Sequence, residues 1–141
     1  MAATDIVREY IECWNRRDWD RYRAMIHPQY TYTGGDGQEQ PGPDAGLAMA
    51  RMFATAFPDG RINIKNLRAD GDFVVAEFVG TGTHQGDLMG IAPTGKKVSM
   101  PVCDIIELRD GKIYREREYM DMMHMMTQLG VAKAPAPVKA R

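Results

Sequence analysis

Cysteine is nearly missing from this chain of 141 residues: it has two, Cys13 and Cys103, far apart and without a CxxC partner. That excludes a disulfide framework or a zinc ribbon and leaves two thiols expected to be reduced. Histidine is also scarce, with three residues that show no ligand spacing, so no metal site is expected. Charge of one sign is lacking too. A net charge of -1 gives no electrostatic footprint for a nucleic-acid backbone or an anionic membrane, so neither is an expected partner. No apolar run reaches membrane-spanning length and no cleavable apolar leader opens the sequence, which points to the cytoplasm. What remains as a partner is a small, hydrophobic molecule.

The length fits one domain with one core, expected over residues 1–130, with a Pro/Ala/Lys-rich tail over 131–141 expected to be disordered. Thr4 is placed to cap a first helix, whose face carries Val7, Tyr10, Ile11 and Trp14 at helical spacing. RDWDRYRAMI continues as a short second helix up to Pro28, and QYTYT reads as a brief strand. GGDGQEQPGPDAG is dense in turn formers, without the Lys-Ser/Thr of a P-loop or the spacing of a dinucleotide fingerprint. A third helix over about 44–57 offers Met49, Ala50, Phe53 and Phe57 to the interior before Pro58 stops it. Beyond it the chain turns to β-structure: RINIKNLR, a long GDFVVAEFVGTGTHQG strand broken by glycines, KKVSMPVCDIIEL, and KIYREREYMD after the turn RDG. A last helix carries Met122, Met125, Met126 and Leu129 on one side, with Gly130 as its stop signal.

Helices followed by a run of strands predict an α+β fold, a curved antiparallel sheet covered by helices. Gly80, Gly82 and Gly86 would let the long strand bend, and a strongly bent sheet closed by helices forms a cone with a pocket inside.

One residue stands out in that pocket's wall. On the strand VSMPVCDIIEL, alternate positions are Val98, Met100, Val102, Asp104, Ile106 and Leu108, a single carboxylate on an otherwise apolar face. An aspartate there either accepts hydrogen bonds that hold the core or faces a ligand. If the faces carrying Val74, Ala76, Phe78 and His84, and Ile113, Arg115, Arg117, Tyr119 and Asp121, turn to the same side, the polar groups converge. His84, Asp104, Arg117, Tyr119 and Asp121 would then meet in a pocket walled by Trp14, Phe53, Phe78 and methionines. Apolar walls raise a carboxyl pKa and two close carboxylates split theirs, giving one base and one acid near neutral pH. Asp121 is equally placed to be the N-cap of the last helix, and His84 to be a turn or core histidine.

The strings WNRRDWD, AFPDGRINI, THQGDLMGIAPTGKKVS and DGKIYREREYMDMMHMMTQLG resemble the SnoaL-like polyketide cyclases, a family within the nuclear-transport-factor-like superfamily that also holds ketosteroid isomerases. The resemblance runs from about Val7 to Gly130. It implies a cone-shaped α+β barrel with a deep pocket, a homodimer packed through the outer sheet face, and intramolecular aldol cyclisation or isomerisation without cofactor or metal. It puts the family's acid/base aspartate on Asp121, its THxG histidine on His84, and Asp104 at a position where relatives carry Asp, Glu or His. Trp14, Tyr32, Met49, Phe53, Phe78, Arg117 and Tyr119 are the expected substrate contacts. The sequence departs from the family at EHWD, whose His and Trp are replaced by Glu116 and Arg117. Relatives that hydroxylate also carry Arg near position 117. Cofactor-independent hydroxylation and non-catalytic binding of a hydrophobic molecule are the rival readings.

Overall fold

The computed structural model describes residues 1–133. The chain runs α1 (Ala3–Arg16), α2 (Trp19–Ala24), β1 (Ile26–Thr33), β2 (Glu39–Pro41), α3 (Pro43–Ala56), β3 (Arg61–Asp70), β4 (Phe73–Thr83), β5 (Lys97–Arg109), β6 (Lys112–Met120) and α4 (Met122–Gln128). The expected tail falls outside the described residues from position 134 onward. No described helix is long and apolar enough to cross a membrane.

Periodicity explains the helices. Val7, Tyr10, Ile11 and Trp14 are all buried along α1, which stops where Arg17 turns left-handed at φ 60°. Its N-cap is Ala2 without a side-chain bond, so Thr4 lies within the first turn and does not cap. α2 is capped by Asp18, whose carboxylate accepts the Arg21 N–H at 3.2 Å. In α3, Pro43 opens the helix, where its missing N–H costs nothing, and Pro58 follows its end.

The six strands form one open sheet in the order β2-β1-β6-β5-β4-β3. The expected antiparallel meander holds for β3 to β6, but β1 joins β6 in parallel. The long excursion through β2, α3 and the strands β3 to β5 supplies the crossover that a parallel neighbour needs. The turn-rich segment also contributes β2, a short edge strand on β1. The strand β4 is not broken by its glycines. Gly82 instead admits the end of α3, since a Cβ there would lie 2.9 Å from Phe57 Cβ.

A bulge in β6 decides what the site contains. Leu108 pairs with Ile113 and Glu107 with Arg115, which leaves Tyr114 as an extra residue. One inserted residue inverts the facing of everything after it. Ile113 therefore points into the core, and beyond Tyr114 it is Glu116, Glu118 and Met120 that line the concave side. Arg117 and Tyr119, expected inside, lie on the outer face. Alternation on β4 and β5 is as read: Val74, Ala76 and Phe78, and Val98 through Leu108 at every second position, are buried.

Candidate active site

Between the concave face and helices α1 and α3 lies a cavity walled by Ile11, Trp14, Phe53, Phe57, Phe78 and Met100, with three carboxylates, Asp104, Glu116 and Glu118, on its sheet side. Among the described lining residues Arg61 is the one cation, and it is exposed. The three acids come from two adjacent strands. Asp104 on β5 pairs directly with Glu118 on β6, and Glu116 follows one inward position away, beside Tyr32 of β1.

Tyrosines from the helical side and β1 supply the donors. Tyr10 and Tyr30 hydroxyls both donate to Glu116 Oε1, at 2.9 and 2.7 Å, and the Tyr32 hydroxyl donates to Glu118 Oε1 at 3.1 Å. Tyr22 stacks on Tyr10 with ring centroids 4.3 Å apart. Burial, reinforced by nearby carboxylate charge, pushes all four phenols upward, so they stay neutral donors.

Asp104 is treated differently from its neighbours. Only 4% exposed, it has an Oδ1 with no hydrogen-bond donor among the described residues. An ionised oxygen left so would carry a large desolvation cost. Burial, then the charges of Glu118 and Glu116, raise Asp104 well above the usual carboxylate range. Burial and the Glu116 charge raise Glu118 from 4.5 to about 7, while hydrogen bonds from Tyr32 and Asp104 oppose the rise. At neutral pH this pair offers a carboxylic acid able to donate and a carboxylate able to take a proton, in an apolar enclosure.

Of the residues expected from sequence, Trp14, Tyr32, Met49, Phe53, Phe78 and Asp104 line the cavity. Asp121 does not. It lies exposed past the end of β6, where its carboxylate accepts the His124 N–H at 3.0 Å and caps α4, facing a shallow outer depression with Tyr119 and Cys103. Arg117, also outside, donates to Glu107 at 2.6 Å, and Tyr119 is 56% exposed. His84 is fully buried but sits behind Phe57, ring centroids 5.6 Å apart, away from the cavity lining. Its Nδ1 accepts the Thr94 N–H at 3.2 Å, a bond that fastens the segment that leads into β5.

Glu116, Glu118 and the donors Tyr10 and Tyr30 were not legible as site residues from the sequence pattern, whereas Tyr32 was. One signal existed: Ile113 and Met120 are seven positions apart and cannot both face inward on a regular strand.

A family model described as SnoaL-like polyketide cyclase matches residues 4–129. Aklanonic acid methyl ester cyclase DnrD of Streptomyces peucetius is 30% identical over 129 residues, covering 89% of each chain. Nogalonic acid methyl ester cyclase of Streptomyces nogalater is 29% identical over 122 residues, 85% of this chain and 91% of that one. Among solved structures, AclR of Streptomyces galilaeus, described as a candidate hydroxylase, superposes with a TM-score of 0.83 at 25% identity, covering 95% of this chain and 85% of that one. TsrD of Streptomyces laurentii shares the fold, with a TM-score of 0.79 at 23% identity over 91% and 94%.

Proposed function

This chain belongs to the SnoaL-like polyketide cyclase family, and from that membership and the cavity's chemistry we propose that it closes a ring of an aromatic polyketide ester by intramolecular aldol addition. The observation that carries the reading is the facing pair in the cavity: Glu118, raised to about 7, opposite a protonated Asp104. Glu118 takes a proton from the carbon between two carbonyl groups. Asp104 donates a hydrogen bond to the enolate oxygen as charge develops there. The carbanion then attacks a ketone carbon of the same molecule, one C–C bond forms, and the alkoxide recovers the proton from Glu118. Substrate and product are isomers, so the step is redox-neutral and calls for no cofactor.

The substrate class is supported by the named cyclases of aklanonic and nogalonic acid methyl esters and by flat apolar walls at Trp14, Phe53 and Phe78. Arg117 lends no support to hydroxylation, because it lies on the outer face bonded to Glu107. We further propose a cytoplasmic homodimer packed through the outer sheet face, where Phe73 is 42% exposed and Val75 and Val79 are partly so. A monomer by light scattering at micromolar concentration would overturn that assembly. The chemical reading is tested by turnover of the methyl esters in the relatives' names, those of aklanonic and nogalonic acid. Glu118→Gln and Asp104→Asn should each cut kcat sharply; unchanged kcat in both would overturn their acid/base roles, and a wild type that binds the ester without turnover would make the chain a binding domain.

A further inference from the structure

The proton transfer just described leaves Glu116 without a task, yet no other acid in the cavity is held so firmly. It is 6% exposed, and a single oxygen, Oε1, accepts both the Tyr10 and Tyr30 hydroxyls. Those donors are themselves fixed. Tyr10 is 2% exposed and stacked on Tyr22, and Tyr30 is 1% exposed beneath α3. The approach of α3 is so close that a Cβ on Gly46 would lie 2.5 Å from the Tyr30 ring and 2.8 Å from its hydroxyl. Any side chain at position 46 would dislodge the donor.

Donors decide where negative charge settles among close carboxyls. Glu116 has two tyrosine donors and Glu118 has one, Tyr32, while Asp104 Oδ1 has no partner among the described residues. The groups facing this cluster are Tyr10 from α1, Tyr22 from α2, Tyr30 and Tyr32 from β1, Asp104 from β5 and Glu118 from β6; Arg61 of β3 stands exposed on the lining. We propose that Glu116 is a positioning residue: a locked negative charge that keeps the shared proton on the Asp104–Glu118 pair and so sets the pH at which the pair works. The inference rests on the reading of Glu118 as the base. The like-charge effect of Glu116 on both partners has the required direction.

The test is a side-chain carboxyl 13C NMR titration of the full chain, which needs no substrate, on the wild type, Glu116→Gln and Tyr30→Phe. Glutamine keeps an oxygen for both tyrosines and removes only the charge. The Glu118 midpoint should fall by about one pH unit or more in Glu116→Gln, the size of effect one close like charge exerts. The acid limb of the kcat/KM profile should move the same way. Tyr30→Phe, which removes one of the two donors, should lower the midpoint by less. An unchanged Glu118 midpoint in folded Glu116→Gln overturns the proposal; should that variant not fold, an unchanged midpoint in Tyr30→Phe does so. A Glu118→Gln enzyme with full turnover would instead overturn the base assignment, and the two failures are therefore distinguishable.

Discussion

Replacing Glu118 by Gln should make the protein more stable at pH 8 and leave it unchanged at pH 4. In the folded chain the carboxyl titrates at about 7, against 4.5 for the free group. Between those values the native state holds a proton that the unfolded chain has released, so stability falls as pH rises through the interval. The contribution is fully present below pH 4.5 and gone above about 7. From 4.5 to about 7, at about 1.4 kcal/mol per pH unit, the loss amounts to about 3 kcal/mol. Gln cannot ionise, still accepts from Tyr32, and escapes this loss. Urea unfolding of both proteins at pH 4, 6 and 8 reads the difference directly, and a thermal scan should show a gap of roughly 10 °C opening toward alkaline pH. Comparing the two proteins at each pH cancels the titrating groups outside the cavity cluster. Parallel stability curves for wild type and Glu118→Gln would refute the claim that Glu118 is raised by its surroundings.

Other perturbations separate scaffold from site. Asp121→Ala removes the α4 cap and should cost about 1 kcal/mol in unfolding free energy, with kcat per folded molecule unchanged; a large loss of rate would return the acid/base role to Asp121. Gly86→Ala would place a Cβ 2.2 Å from the Thr55 carbonyl oxygen, a backbone atom with little freedom to yield. A loss of roughly 1–3 kcal/mol is expected by chemical denaturation, and a neutral result would mean the α3 end can withdraw. Asp104→Asn, which keeps shape but replaces the carboxylic O–H by a weaker amide N–H donor, should lower kcat while the melting temperature rises or holds at pH 8, because a buried acid that resists ionisation has been removed.

Local patterning carried most of the architecture. The helical faces of α1 and α3 and the alternation on β4 and β5 were readable because each is a regular period against one core, and Asp104 emerged from that same regularity. Two features were hidden. The parallel β1–β6 pairing joins segments far apart in sequence, and no local preference encodes it. The Tyr114 bulge reverses the phase of β6, so strict alternation from Ile113 selects Arg117, Tyr119 and Asp121 where the chain presents Glu116 and Glu118. His84 was misplaced for a related reason. It follows the last residue of β4, where alternation no longer governs direction and backbone bonds to Lys96 and Gly95 set the course.

The central claim is that the proton moves through Glu118 inside the cavity, and the most direct measurement compares Glu118→Gln with Asp121→Asn in the same cyclisation assay. Deuterium wash-in at the acidic carbon, followed by mass spectrometry beside product formation, isolates the abstraction step. Loss of the general base should reduce both rates by roughly two to four orders of magnitude in Glu118→Gln, while Asp121→Asn, which keeps a good helix cap, exchanges and cyclises at the wild-type rate. Wild-type exchange in Glu118→Gln, with exchange abolished in Asp121→Asn, would contradict the account.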